Sequence, residues 1–105
     1  MTLSEFKKIL DLSGIKFKYH HWEKPAPPLP YGVYLCNGAD TFKADGQVYF
    51  KNENIRIELY TKKKDVKVEI QLENALDRAE IYYKKVDEIY LETEKMYQII
   101  YELEL

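Results

Sequence analysis

The sequence has few of the residues that usually mark a catalytic or metal-binding site. Its 105 residues include one cysteine, two histidines and four glycines. The single cysteine, Cys36, excludes an internal disulfide, and the histidines have no spacing typical of zinc ligands. The glycine-rich signatures of phosphate-binding loops are also absent. These absences favour a protein that is not an enzyme and acts through contacts, with no cofactor and no metal.

The chain also lacks a strong charge of one sign and a long apolar run. Sixteen basic and eighteen acidic residues give a formal net charge of −2, which does not favour binding to phosphate backbones. No stretch approaches the roughly 20 apolar residues that cross a bilayer. Residues 1–12 are too charged and too short for a signal peptide. We therefore expect a soluble cytoplasmic protein with neither a membrane nor a specific nucleic acid as partner.

Tyrosine, by contrast, is abundant. The chain has ten tyrosines beside four phenylalanines and one tryptophan, and its hydrophobic share of 46% is enough for one domain over residues 1–105. A buried tyrosine needs a hydrogen-bond partner for its hydroxyl, so ten of them cannot all lie in a core. Some are expected on a solvated sheet surface or at an interface with another protein.

A helix, a strand and a connector are predicted in the first third of the chain. Thr2 and Glu5 have the spacing of a capping box, and Gly14 ends an apolar stripe formed by Leu3, Phe6, Ile9 and Leu10. Apolar and polar residues alternate over 15–20, which predicts a half-buried strand. Four prolines between residues 25 and 30 predict a stiff, extended connector.

The middle of the chain is predicted to be β-structure. An apolar strand over 31–36 is followed by an expected loop over 38–46, in which Asp45-Gly46 is a strong turn signal. Two further strands are predicted over 48–51 and 55–60, with polar residues between them. We expect these two strands to pair as a hairpin.

A second helix and more strands are predicted in the last 40 residues or so. Asp65 is the expected N-cap of this helix. The apolar face of the helix consists of Val68, Leu72, Ala75, Leu76 and Ala79, and Glu69 is expected outside that face. Strands follow over 81–84, 88–91 and 96–105. In the last of these, the odd-numbered residues from position 97 onward share one apolar face.

This order of elements predicts an α+β fold with a mostly antiparallel sheet and two helices packed on one face. Each amphipathic helix has one stripe to bury, and an antiparallel sheet offers one face to receive both. The other face is expected to carry Arg56, Glu58, Tyr60 and Tyr90. Such a face is polar enough for water and aromatic enough for a partner.

The remaining polar features have ordinary structural interpretations. His20 and His21 are adjacent, and on an extended chain they point to opposite sides, so a shared metal is not expected. Trp22 is expected to pack on the domain at the start of a loop, and Cys36 to be a small buried side chain rather than a nucleophile. The basic run at 62–64 is expected to be a solvated loop, with contact to an acidic partner or to a phosphate backbone as the alternative.

Four stretches resemble a known family: Pro30–Leu35, Ala44–Tyr49, Ile57–Asp65 and Glu94–Glu102. Together they resemble short phage and prophage proteins of Gram-positive hosts, encoded among the head–tail joining and tail genes. The family is that of the tail terminator, or tail completion, proteins of long-tailed phages. The resemblance covers nearly the whole chain in the same order.

The resemblance implies a small α+β domain without catalytic residues. Members of this family assemble as a ring, usually a hexamer, that caps the finished tail tube and offers a surface to the head connector. The implied partners are further copies of the chain, the tail tube protein and the head–tail connector protein. The implied locations are the host cytoplasm during assembly and the head–tail junction of the virion tail.

A ring subunit needs two different surfaces that fit each other, and interfaces are enriched in tyrosine. A tyrosine-bearing sheet face and exposed loops at 38–46 and 62–64 could supply these surfaces. The candidate interface residues are Tyr31, Tyr34, Tyr60, Lys62, Lys63, Lys64 and Tyr90. A head–tail connector component of similar size is a close variant of this hypothesis. The alternative from a different class is a small host regulatory or ligand-binding module. A cleft between the sheet and the second helix, lined by His20 or Cys36, would favour that alternative.

Overall fold

The computed structural model describes residues 1–44 and 47–105, and the side chains of residues 1–38 and 53–105. Its elements are α1 (Leu3–Asp11), β1 (Lys16–Tyr19), β2 (Tyr31–Ala44), β3 (Gln47–Thr61), α2 (Val66–Arg78), β4 (Tyr83–Leu91) and β5 (Met96–Glu104). The strands form one five-stranded sheet in the order β1-β2-β3-β5-β4. β1 runs parallel to β2, and the other neighbouring pairs are antiparallel. The predicted α+β class is confirmed.

Both helices begin at the predicted caps. The Glu5 backbone N–H donates to Thr2 Oγ1 at 3.1 Å, and the Thr2 N–H donates to Glu5 Oε1 at 3.0 Å, which completes the capping box. Gly14, with φ of +80°, follows the end of α1 in a conformation that other residues rarely adopt. Asp65 Oδ1 accepts a hydrogen bond from the Val68 N–H at 3.3 Å at the start of α2.

The core lies between the helices and one face of the sheet. The fully buried side chains that meet there come from α1, α2, β3 and β5, and they include Phe6, Leu10, Leu72, Leu76, Ile57, Leu59, Ile99 and Tyr101. The predicted alternation of β5 is confirmed, because Ile99, Tyr101 and Leu103 all face this core. Burial of such side chains, at roughly 25 cal/mol per Å² of apolar surface, is the main stabilising term of the fold.

The opposite face of the sheet is covered by neither helix, and we call it the open face. Strand register places on it Tyr31, Val33, Leu35, Arg56, Glu58, Tyr60, Lys84, Asp87, Ile89, Gln98, Ile100 and Glu102. The predicted positions of Arg56, Glu58 and Tyr60 are therefore confirmed.

The prediction for the middle of the chain is wrong in its pairing. Residues 48–51 and 55–60 are not two strands of a hairpin, because both belong to β3, which pairs with β2 instead. The expected loop over 38–46 is strand as far as Ala44, after a register shift between Cys36 and Ala39. Gly38 lies within that shift with φ of +100°. The Asp45-Gly46 turn lies outside the described residues.

β2 and β3 extend past their other neighbours in the sheet. β1 pairs with β2 only as far as Tyr34, and β5 pairs with β3 only from Asn54, whereas β2 and β3 pair up to Ala44 and Gln47. We call the extension, residues 37–44 and 47–52, the ribbon. Its two strands have no third strand beside them among the described residues.

The ribbon makes the molecule long. The chain measures 50 × 30 × 23 Å and has a radius of gyration of 15.0 Å. A compact domain of this length has a radius of gyration of about 13 Å.

The two short strands predicted over 81–84 and 88–91 are also wrong in their bounds. They form one edge strand, β4, with a register shift between Lys85 and Asp87. The extra residue, Val86, moves every later side chain to the other face. Tyr90 therefore lies opposite Tyr97 on the helix side of the sheet and not, as predicted, on the open face with Tyr60.

Candidate functional site

An aromatic row crosses one end of the open face. The ring centroids of Trp22 and Tyr31 lie 6.0 Å apart, and those of Tyr31 and Tyr60 lie 5.4 Å apart. Trp22 Nε1 donates a hydrogen bond to the Gly32 carbonyl at 3.0 Å, so the indole is fixed against the sheet as predicted. The Lys18 ammonium lies 5.7 Å from the Trp22 ring centroid, within cation–π range.

A chain of hydrogen bonds continues from this row along the open face. Gln98 Nε2 donates to the Tyr60 hydroxyl at 3.0 Å, and that hydroxyl donates to Glu58 Oε1 at 2.8 Å. Arg56 Nε donates to Glu58 Oε2 at 2.9 Å. Burial, together with the hydrogen bond to Glu58, raises the pKa of Tyr60. The phenol therefore stays neutral, and its hydroxyl donates a hydrogen bond to the Glu58 carboxylate.

Apolar side chains lie beside this polar chain. Val33 and Ile100 flank Glu58 on the neighbouring strands, and each is only 4% exposed although no helix covers this face. The open face is thus a closely packed layer in which aromatic, apolar and hydrogen-bonded polar groups alternate. Its side chains are held before any partner arrives, which lowers the entropic cost of binding.

The structure separates the four candidate interface tyrosines. Tyr31 and Tyr60 lie together on the open face, as predicted. Tyr34 faces the helices and is 7% exposed, with its ring 6.0 Å from Phe6 and 5.3 Å from Tyr19, so it has little surface left for a partner. Tyr90 lies on the helix side of β4, where its ring centroid is 5.0 Å from that of Tyr97.

The three candidate lysines are exposed, and one of them belongs to an ion-pair network. Lys64 Nζ lies 2.8 Å from Glu69 Oε2 and also contacts Glu88 on β4. Lys62 and Lys63 are exposed in the same loop, in agreement with the prediction of a solvated segment. The run at 62–64 therefore combines an internal structural contact with two cations that face solvent.

Sequence reasoning missed a buried carboxylate between α2 and β4. Glu69, expected outside the apolar face of its helix, has a side chain that is 2% exposed. Besides Lys64, its carboxylate contacts Lys85 Nζ at 2.7 Å, and Lys85 also lies 2.9 Å from Glu73. The Tyr101 hydroxyl donates to Glu73 at 2.7 Å. The signal available in the sequence is weak, since Glu69 merely adjoins the apolar stripe and its partners come from other elements.

The charges in this network stabilise one another. Burial alone would raise the pKa of Glu69, but the ammonium groups of Lys64 and Lys85 outweigh it and lower the pKa. Hydrogen bonds to Glu69 and Glu88 raise the pKa of Lys64. Burial alone would lower the pKa of Lys85, but its contacts with Glu69 and Glu73 raise it. All three groups are therefore charged at neutral pH and tie α2 to the edge of the sheet.

The histidines and the cysteine are arranged differently from the prediction. His20 has φ of +69°, so the chain turns there instead of staying extended. The Nδ1 atoms of His20 and His21 lie 3.2 Å apart, and His21 Nε2 lies 3.2 Å from Glu23. Cys36 is only half-buried, and its backbone N–H donates to the Tyr19 hydroxyl at 3.2 Å.

Within the described part of the chain, no three histidine, cysteine or acidic side chains are grouped as a metal would require. Neither described helix combines the length and the apolar character needed to cross a membrane. No protein-family model matches the sequence, and no curated protein matches it.

Proposed function

We propose that this chain is a tail terminator of a long-tailed phage or prophage, a non-enzymatic protein whose copies form a ring. In this proposal the ring, a hexamer, caps the tail tube and meets the head connector. The observation that carries the proposal is the ribbon, whose paired strands extend beyond β1 and β5. A lone two-stranded hairpin is at best marginally stable in water, so a contact with another subunit explains its length.

A ring also needs a second surface, different from the first, on each subunit. The open face offers one. Its aromatic row and its hydrogen-bonded chain through Glu58 are fixed within the free subunit. In the proposed ring, the ribbon of one subunit lies against the open face of the next. Repetition of this head-to-tail contact closes the ring if the rotation between subunits is about 60°.

The alternative, a regulatory or ligand-binding module, gains little support from the described residues. A depression of about 630 Å³ lies at the β3–β5 end of the sheet and is lined by Asn37, Asn54, Ile55, Tyr82, Lys84, Glu102, Leu103 and Glu104. Neither His20 nor Cys36 lines it. His20 is exposed, so the buried histidine that would favour a binding pocket is not there.

The proposal is tested with a variant whose ribbon is shortened, in which a two-residue Asn-Gly turn joins Asn37 to Asn54 and so keeps the register of Cys36 with Ile55. This variant keeps every described core residue, so its thermal unfolding should stay cooperative. Both proteins are mixed with tail tubes assembled from the tube protein of the same phage or prophage, and viewed by electron microscopy. We expect a six-fold cap on the tube end with the full chain and bare ends with the shortened variant.

The matched control changes a different exposed loop. Glu92→Ser with Glu94→Ser alters two solvent-facing side chains in the turn between β4 and β5, outside the ribbon, and it should leave capping intact. Bare tube ends with the unmodified chain would overturn the proposed function. Capping by the shortened variant would overturn the role given to the ribbon.

A further inference from the structure

The two edges of the sheet differ in how open they are. β1 is four residues long, and the chain turns away from it at His20 and enters the proline-rich connector. β4 is nine residues long, and in the described structure no strand pairs with its outer side. Its backbone groups on that side are free to pair with another strand.

β4 and the residue before it also hold several of the exposed large hydrophobic side chains of the domain. Tyr82 is 79% exposed, Tyr90 47%, Val86 43% and Ile89 37%. An edge strand that exposes apolar side chains in this way is a surface suited to β-augmentation, in which a strand from another chain extends the sheet.

The charges of β4 specify which strand fits. Lys84 and Lys85 precede Val86, and Asp87 and Glu88 follow it. When two such strands pair antiparallel with Lys84 of each strand opposite Asp87 of the other, opposite charges meet on the open face at two places. A parallel pairing in register would instead place like charges together. The sequence of this edge is therefore complementary to itself in the antiparallel sense.

The bulge at Val86 is compatible with such a pairing. Lys84 and Asp87 lie on the open face, opposite Glu102 and Ile100 of β5, whereas Lys85 and Glu88 lie on the helix side. A register that places Lys84 opposite Asp87 of the second copy keeps both side chains on one face. The same register places Tyr82 opposite Ile89, which covers two of the exposed apolar side chains.

Charged residues and bulges on an edge strand ordinarily prevent pairing. Here they discriminate between partners rather than block all of them. A strand whose charges all have one sign is repelled by part of β4. A strand without a bulge opposite Val86 would place its side chains on the wrong face of the sheet. A second β4 meets neither difficulty, since the sign of the charge changes at the bulge itself.

We propose that β4 pairs antiparallel with β4 of a second copy around a two-fold axis near Val86, joining two five-stranded sheets into one. This contact uses neither the ribbon nor the aromatic row, so it goes beyond the proposed function and stands apart from it. A symmetric contact of this kind closes at two subunits. It defines a dimer of the free protein.

The test is the dissociation constant of the dimer, measured by sedimentation equilibrium over a wide range of protein concentration. Lys84→Glu and Asp87→Lys each turn two attractive cross-strand pairs per dimer into repulsive ones. We expect each variant to weaken dimerisation by about tenfold or more. Mixed in equal amounts, the two variants restore both attractive pairs, so the mixture should dimerise about as tightly as the unmodified chain.

The mixture also separates a lost interface from a damaged fold, because a misfolded variant is not rescued by its counterpart. Cross-linking tests the register. In a Cys36→Ser background, Val86→Cys should form an intermolecular disulfide rapidly, since the two copies of residue 86 lie beside the axis. Tyr82→Cys is the control, because its two copies are separated by about seven residues, or roughly 23 Å.

A chain that remains monomeric at every concentration overturns the proposal, as does a dimer whose dissociation constant neither variant changes. Equal cross-linking at positions 82 and 86 also overturns it. The shortened-ribbon variant should dimerise normally. Failure of tube capping and failure of dimerisation are therefore distinguishable outcomes.

Discussion

The ion-pair network around Glu69 predicts that removing the Glu69 carboxylate lowers the free energy of unfolding less than removing Lys64 and Lys85 does. Glu69→Gln keeps the shape of the side chain and leaves two lysines that can turn toward water, since Lys64 and Lys85 are 44% and 41% exposed. Its cost should be about 1 kcal/mol. Replacing both lysines with methionine leaves a carboxylate buried without its cations.

The cost of replacing Lys64 and Lys85 with methionine follows from the burial of Glu69 and from the screening of the two lysines by solvent. Removing the partner of a buried charge costs about 3–5 kcal/mol, and partial exposure of the lysines argues for the lower end, about 3 kcal/mol. The free energy of unfolding is measured by urea titration at pH 7. Lys62→Met with Lys63→Met is the matched control, because these exposed lysines of the same run should contribute less than about 0.5 kcal/mol.

The pH dependence gives the same argument a second test. The lysines lower the pKa of Glu69 in the folded protein, so its contribution to stability is present above its unfolded pKa and is lost as pH falls through the folded pKa. In the double-methionine variant, burial remains and raises that pKa. The deficit in unfolding free energy should therefore shrink as pH falls from 7 to about 4.

Two results would refute this reasoning. One is a deficit that stays constant over that pH range. The other is a double-methionine variant that is equally costly in a Glu69→Gln background, because the loss would then act through Glu73 or Glu88 rather than through Glu69. Both outcomes are read from the same urea titrations.

Three further changes test the packing and the caps. Thr2→Ala removes the capping box and should lower the unfolding free energy by about 1 kcal/mol in a urea titration, whereas Thr2→Ser should not. Gly32→Ala places a methyl group 2.7 Å from Phe17 Cδ1, so it should cost about 2 kcal/mol by urea titration, and Phe17→Leu should recover part of that loss. Tyr101→Phe removes the buried hydrogen bond to Glu73, so it should lower the unfolding free energy by about 1 kcal/mol in a urea titration. An unchanged unfolding free energy would contradict a stabilising role for that hydrogen bond.

The features that could be predicted from the sequence are those whose physical cause is local. The capping box at Thr2 and Glu5 joins residues three positions apart, and the stripe that includes Phe6 and Leu10 repeats within one helix. The alternation of β5 also needs no knowledge of its neighbours. Helix positions, the buried face of β5 and the α+β class were therefore accessible.

The features that were missed depend on partners distant in sequence or on a single inserted residue. The bulge at Val86 reverses the face of Tyr90, and no pattern of apolar residues marks it. Glu69 is stabilised by Lys85, sixteen positions away on another element. The pairing of β2 with β3 was missed because it joins residues far apart in the sequence, such as Cys36 and Ile55.

The position of β5 determines how the molecule opens. β5 comes last in the order of described elements but lies between β3 and β4, and its Ile99 and Tyr101 are fully buried. Its backbone amides therefore exchange with solvent only when the sheet divides in two, a nearly global event. The outer strands β1 and β4 can detach by smaller openings. The centre of the sheet therefore unfolds cooperatively, whereas the outer strands open first. These outer strands include β4, the edge proposed to pair with a second copy.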